Sequence, residues 1–284
     1  MIRLPFFLAK RFVAGEDFPQ AAPKVKGLNS KGLKATLDLL GENVTDREMA
    51  DATTRAYCDL LDDIREEDLD TSISIKPTML GMDIDYNYCV ENVFTLLDKA
   101  KKYNQFVRID MEGSDYTQRT IDMFLQAKRQ YDPHVGIVLQ AYLHRTREDV
   151  DLMIREKSDV RLCKGAYKEP AGIALQNIAD IRAVFKEHAG RLMESTNGTR
   201  IATHDDTLID WTRKYAEDNN IPKSRFEFQM LYGLRQETCE KLAGDGYHVR
   251  IYVPFGTMWL PYFTRRLRER KENIRFILST MFKR

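Results

Sequence analysis

Eight short runs rich in apolar and β-branched residues recur along the chain, at 33–40, 71–76, 106–112, 135–142, 160–167, 200–205, 225–231 and 248–254. Runs of this kind bounded by turn residues predict strands. Between them lie segments whose apolar positions fall at helical spacing, clearest over 149–157, 173–194 and 207–219. Thr45-Asp46-Arg47-Glu48 has the form of a capping box, with Thr45 as N-cap and Glu48 three residues on. Gly233, Gly244 and Gly246 punctuate the later units. Strands alternating with helices imply a parallel sheet, and eight such units predict closure into a distorted α/β barrel of the (β/α)8 type. The alternative is an open doubly wound sheet; no G-x-G-x-x-G follows any strand, which weighs against it. Residues 1–32 are expected to form an N-terminal helical segment packed on the barrel. Residues 33–284 are expected to form one barrel domain with a C-terminal helix over the strand ends.

Composition narrows the class. The chain has 284 residues, 43% hydrophobic and 31% charged, which suits one large domain with a full core. A net charge of +1 creates no global field for nucleic acid or an acidic membrane. The basic tail over 265–284 is interrupted by Glu269 and Glu272 and is poor in aromatic residues, so no nucleic-acid partner is expected. Cys58, Cys89, Cys163 and Cys239 are far apart and form no C-x-x-C, which fits reduced thiols in a cytoplasmic protein and no structural zinc. No apolar run approaches the length of a membrane span, and the run at Met1–Lys10 is too short for a secretory signal.

In a barrel of this type chemistry sits at the C-terminal ends of the strands. Read in order, those ends bring Lys76; Asp110 and Glu112; Gln140 and Tyr142; Arg161, Lys164, Gly165 and Tyr167; Thr203, His204 and Asp205; Gln229 and Leu231; and Tyr252. One rim histidine and the absence of H-x-H or H-E-x-x-H disfavour a metal centre. Cys163 has no base assigned to it as a nucleophile. The excess of cations suggests an anionic ligand. Arg161, Lys164 and the Gly165-Ala166 step suit a phosphate, and the Gln140 amide suits a planar heterocycle. These residue types leave a redox nucleotide and a phosphorylated substrate both open. Beyond the last strand, Tyr262, Arg265, Arg266 and Glu269 fall at i, i+3, i+4 and i+7 on one helix face. Such a face is either a solvated basic stripe or, placed over the strand ends, a pair of guanidiniums suited to a small carboxylate, with Glu269 orienting an arginine.

The strings Ser74-Ile75-Lys76, Ile109-Asp110-Met111-Glu112, Leu139-Gln140-Ala141-Tyr142 and Arg161-Leu162-Cys163-Lys164-Gly165-Ala166-Tyr167 resemble the proline dehydrogenase family. So do Thr203-His204-Asp205, Phe228-Gln229-Met230-Leu231-Tyr232-Gly233, Arg250-Ile251-Tyr252-Val253-Pro254 and Tyr262-x-x-Arg265-Arg266-x-x-Glu269. They run in order from about residue 27 to 276, and the length resembles the single-function bacterial members.

The resemblance implies a non-covalent flavin, FAD before FMN, and oxidation of L-proline to 1-pyrroline-5-carboxylate by hydride transfer from C5 to flavin N5. It also implies a membrane quinone as electron acceptor, with peripheral membrane contact. By position it implies Asp110 and Arg161 at the chemistry, Asp110 as an orienter of Lys76 or an arginine. Lys76, Leu231, Tyr252, Tyr262, Arg265 and Arg266 would bind substrate. Met111, Gln140, Arg161, Cys163, Lys164, Gly165, Ala166, Thr203, His204 and Gln229 would line the cofactor. Tyr252 leaves little room for a ring hydroxyl, which favours proline over hydroxyproline. Lys168 departs from the tryptophan that follows the matching tyrosine in bifunctional members. The alternatives are a related flavin barrel acting on hydroxyproline or folate, and a silent barrel that binds proline or a nucleotide.

Overall fold

The eight strands pair side by side in chain order, and the last pairs with the first, so the parallel sheet closes into a barrel. The computed structural model describes residues 6–41, 43–195 and 198–269, with backbone alone for residue 8 and for 265–269. The strands are β1 Lys34–Leu39, β2 Thr71–Ile75, β3 Val107–Ile109, β4 Val135–Gln140, β5 Val160–Cys163, β6 Thr199–Ala202, β7 Phe226–Leu231 and β8 His248–Phe255. Helix α1 (Phe18–Asn29) precedes them. Then α2 (Arg47–Glu66), α3 (Tyr86–Lys102), α4 (Thr117–Tyr131), α5 (Thr146–Arg155), α6 (Ile178–Ser195), α7 (Asp206–Asp218) and α8 (Gln236–Gly244) connect successive strands, and α9 (Trp259–Glu269) follows β8.

The expected barrel is therefore present, and most of its strands, β4 excepted, alternate apolar and polar positions. Leu37, Ile73, Ile75, Val107, Ile109, Ile137, Leu162, Phe228 and Ile251 belong to one buried apolar cluster shared with the helices. The positions between them carry Thr36, Asp38, Ser74, Arg108, Arg161, Glu227, Gln229 and Arg250; Ser74, Arg161, Gln229, Glu227 and Arg250 bond in succession, while Thr36, Asp38 and Arg108 bond to Ser72, Lys76 and Asp159. Barrels of this type commonly fill that interior with branched apolar residues. Here it is lined with charge, so each ion must find a partner or carry a large desolvation penalty.

Toward the N-terminal ends of the strands, Arg108 and Arg200 both pair with Asp159. Burial pushes the Arg108 guanidinium down to about 10, with Asp159 opposing. Gly136 faces it in register, and a Cβ there would lie 2.3 Å from Arg108 Nη1, so glycine makes the room.

Several boundaries move. β3, β5 and β6 end at Ile109, Cys163 and Ala202, so Asp110–Glu112, 164–167 and 203–205 sit on the loops leaving the strands rather than inside them. α6 begins at Ile178, not 173, because Ala174 is taken up in an antiparallel bridge with Leu143. The N-cap of α2 is Asp46, whose carboxylate accepts from Met49 N at 3.1 Å; with two eligible cap residues adjacent, the acceptor that reaches the third helical N–H wins over Thr45.

The N-terminal segment is divided. Ala21, Ala22 and Val25 of α1 join the main core, whereas Ala9, Phe12 and Val13 pack with Leu40, Trp259, Tyr262 and Phe263. Ala14 N donates to Pro254 O and Gly256 N to Gly15 O, both at 2.9 Å. The stretch before α1 thus lies at the rim where β8 ends and packs against α9.

Candidate active site

The largest charged group at the C-terminal rim gathers on one carboxylate. Asp110, one residue past β3, is its centre. Its Oδ1 accepts from Ser74 Oγ and from Arg161 Nη1, each at 2.7 Å, and its Oδ2 accepts from Tyr252 Oη at 2.8 Å. Arg161 also reaches Ser74 Oγ at 3.2 Å, and its guanidinium lies 5.2 Å from the centroid of the Tyr252 ring. Its Nε donates to Gln229 Oε1 at 2.6 Å. Strands β2, β5, β7 and β8 each place one side chain on this group because in-facing residues recur with a period of two. Burial first, then the Asp110 charge, raises the Tyr252 phenol well above its usual range, so it stays a donor.

Beside this centre Lys76 donates to Asp38 at 2.5 Å. Both are buried, Lys76 to 7% exposure and Asp38 to 1%. Burial by itself lowers the lysine, but Asp38 and Asp110 outweigh it and the net shift is upward, so Lys76 is cationic. Burial raises the Asp38 carboxyl, and Lys76 draws it part of the way back. Asp110 is thus bonded to Arg161 and not to Lys76, whose partner is Asp38. The two cations sit at the pole of the site, each with one carboxylate, because an uncompensated buried charge would cost several kcal/mol, on the order of 3–5.

Other expected residues form smaller groups. Glu112 turns away from Asp110: its carboxylate accepts from Thr78 N at 3.0 Å and Thr78 Oγ1 at 2.6 Å. The Gln140 amide spans two loops, donating to Glu112 O at 2.9 Å and accepting from Ala166 N at 3.2 Å. Lys164 pairs with Asp205 at 3.0 Å, and Arg182 pairs with it too at 2.8 Å. Despite its burial, these cations hold the Asp205 carboxyl down at about 2. Thr203 Oγ1 accepts from Asp205 N at 3.1 Å, and His204 Nε2 accepts from Leu231 N at 2.9 Å. Leu231 lies in register with Tyr252.

Gly165 has φ +134°, and a Cβ on it would lie 2.3 Å from the Tyr142 ring, so only glycine lets this loop close on that aromatic face. Burial pushes the Cys163 thiol up to about 12, which leaves no thiolate for nucleophilic work. Met111 belongs to the main apolar cluster, and Tyr262 packs with Phe12 and Trp259. The backbone of 265–269 is helical, while the side chains of Arg265, Arg266 and Glu269 fall outside the described residues.

Asp38, Ser74 and Glu227 escaped the rim reading. Their signal was the alternation itself: polar residues at every second position of β1, β2 and β7, between apolar neighbours that pack on the helices.

The Proline dehydrogenase family model matches residues 21–278. Proline dehydrogenase 2 of Bacillus subtilis (strain 168) is 40% identical over 275 residues, spanning 97% of this chain and 90% of that protein. Proline dehydrogenase of Deinococcus radiodurans is 34% identical over 280 residues, again 97% of this chain and 90% of that one. In structure, the barrel is similar to proline utilization A (PutA) from Bdellovibrio bacteriovorus inactivated by N-propargylglycine, with a TM-score of 0.86 and 25% identity over 92% of this chain. The chain spans only 32% of the length of that larger protein, against 90% of the Bacillus subtilis relative. A barrel with this rim, matched by the family model over nearly its whole length, belongs to the proline dehydrogenase family.

Proposed function

We propose that this protein oxidises L-proline to 1-pyrroline-5-carboxylate with a non-covalent flavin, FAD before FMN, and delivers the electrons to a membrane quinone from the cytoplasmic side. The observation that carries the reading is the Arg161–Asp110–Tyr252 constellation with Lys76–Asp38 beside it, in a chain of this family. Contact with the quinone would be peripheral; among the described residues no helix is long and apolar enough to cross a membrane.

The residues fit a flavin. Nε and Nη1 of Arg161 are engaged, and among the described residues none accepts from Nη2. The Gly165 turn lets the 164–166 backbone approach a ligand closely. Arg161, Gln140, Met111, Cys163, Lys164, Gly165, Ala166, Thr203 and His204 would hold the cofactor. When bound, the flavin supplies the two-electron acceptor for the hydride lost from proline C5.

The remaining work falls to the protein. Lys76, with Arg265 and Arg266 on sequence grounds, takes the proline carboxylate; Glu269 orients an arginine of that pair. Leu231, Tyr252 and Tyr262 wall the pyrrolidine ring. Clamping the acid and the ring together fixes C5 in one place, which converts binding energy into orientation. The ring nitrogen must be neutral for its lone pair to form the imine as hydride leaves. Asp110 is a poor acceptor for that proton, because three donors already occupy its carboxylate. The proton goes to solvent, and Asp110 holds Arg161 and Tyr252 in place. The Tyr252 hydroxyl is committed to Asp110, so its ring cannot swing aside for a substrate hydroxyl, and this favours proline over hydroxyproline.

The direct test is spectroscopic. Purified protein, reconstituted with FAD if needed, should be yellow and should bleach anaerobically on addition of L-proline. A protein that binds no flavin, or whose bound flavin stays oxidised with excess proline, refutes the reading.

A further inference from the structure

Behind Arg161, away from Asp110, lies a chain of buried polar groups with no place in the mechanism above. Arg161 Nε donates to Gln229 Oε1 at 2.6 Å, and Gln229 Nε2 donates to Glu227 Oε1 at 2.7 Å. Arg250 Nε donates to the same Glu227 oxygen at 2.9 Å and is tied through Nη1 to Ala35 O at 2.6 Å. Glu227 and Gln229 are 2% and 5% exposed. Although burial opposes it, Arg250 and Arg200 hold the Glu227 carboxyl down at about 2, so it is an anion that can only accept.

This arrangement gives Gln229 one orientation. A guanidinium only donates and a carboxylate only accepts. Turning the amide over would set N–H against N–H at Arg161 and oxygen against oxygen at Glu227, losing both bonds where both side chains are buried. The amide dipole therefore carries the charge of Glu227 to Arg161, two residues along one strand and then across to β5. With Nε held on this side and Nη1 on Asp110 and Ser74, the guanidinium plane is fixed at two points, and Nη2 is aimed without freedom to turn.

We infer that Glu227 is a positioning residue for Arg161, acting through Gln229, and that Gln229 serves the cofactor from behind the arginine instead of by direct contact. The consequence for catalysis rests on the flavin reading; the link between the three side chains does not.

The experiment uses the full chain. Gln229→Met keeps the volume and leaves the Glu227–Arg250 pair intact; Glu227→Gln removes the charge. With arginine Nε labelled by 15N, and Arg161→Met to assign the signal, wild type should show an Arg161 Nε–H protected from exchange with water. Gln229→Met should lose that protection. In flavin-loaded protein both variants should lower kcat by ~10- to 100-fold, the scale of a misplaced electrostatic group. The proline KM should stay within about threefold of wild type on the same ground, and the flavin midpoint potential should fall. If Glu227→Gln does not fold, Gln229→Met decides. An unchanged Nε–H signal in folded Gln229→Met, or an unchanged kcat and potential, overturns the inference. Loss of protection in a protein that takes up no flavin would sink the flavin reading and leave the link standing.

Discussion

Replacing Asp38 with asparagine tests whether the buried Lys76 cation depends on a residue that lies outside the recognised rim. The pair is 2.5 Å long with side chains 8% and 1% exposed. Removing one partner from such a pair costs about 3–5 kcal/mol, because the remaining charge stays buried. Asparagine keeps one acceptor oxygen, so the lower end, about 3 kcal/mol, is expected. An unfolding entropy of about 2.1 cal/mol/K per residue over 284 residues is about 0.6 kcal/mol/K, so Tm should fall by about 5 °C. There is a pH signature too. The folded-state pKa of Lys76 lies above its ordinary value, so its stabilising contribution is complete below that value and is lost only as pH rises through the folded pKa. Without the Asp38 charge, burial dominates and the pKa drops. In Asp38→Asn the proline KM should rise and should climb further as pH is raised, whereas the wild-type KM should show no such climb from Lys76. Differential scanning calorimetry and anaerobic flavin reduction at several pH values measure both. The double variant Asp38→Asn, Lys76→Met separates structure from function: it should recover most of the lost stability, since no charge is left unpaired, and should not recover proline binding. A single variant with Tm within about 1 °C of wild type and an unchanged KM would refute the argument.

Tyr252→Phe keeps the ring and removes one bond to the Asp110 carboxylate; at about 1.5–3 kcal/mol for a bond to a charged group, kcat/KM should fall ~10- to 100-fold with flavin content unchanged. A tyrosine that serves only as a wall would show no loss. Gly165→Ala places a methyl 2.3 Å from the Tyr142 ring at φ +134°, so flavin affinity should drop by roughly tenfold or more and purified protein should carry less of it, read from the flavin-to-protein absorbance ratio. Glu227, held at about 2, contributes stability that is present above its unfolded value and lost as pH falls toward 2. Acid unfolding followed by circular dichroism should therefore be less steep below about pH 4.5 in Glu227→Gln, because that variant has no such proton to bind there.

The barrel was legible because each strand is a local pattern. Ile73 and Ile75, or Phe226 and Phe228, mark an apolar face, and the helices between announce themselves by spacing. Lys76, Asp110, Arg161, Gln229 and Tyr252 were also found by position, since strand ends in such a fold converge on one rim. Their partners were not. Tyr252 and Asp110 are 142 residues apart, Arg161 and Gln229 are 68 apart, and Lys76 and Asp38 are 38 apart. Which carboxylate meets which cation depends on strand register and on how far each side chain reaches across the barrel, and no local pattern encodes either. Asp110 beside Glu112 looks like a pair in the sequence; in three dimensions one holds Arg161 and the other caps the turn at Thr78.

From its sequence alone, then, this chain determines a closed barrel, its family and the residue types at its rim, because periodicity and motif order are properties of neighbours along the chain. Only the tertiary structure decides that the barrel's inside is a lattice of ion pairs and that Lys76 leans on Asp38. It alone sets Glu227 and Gln229 behind Arg161, because a buried charge takes the nearest partner in space, whatever the distance between them in sequence.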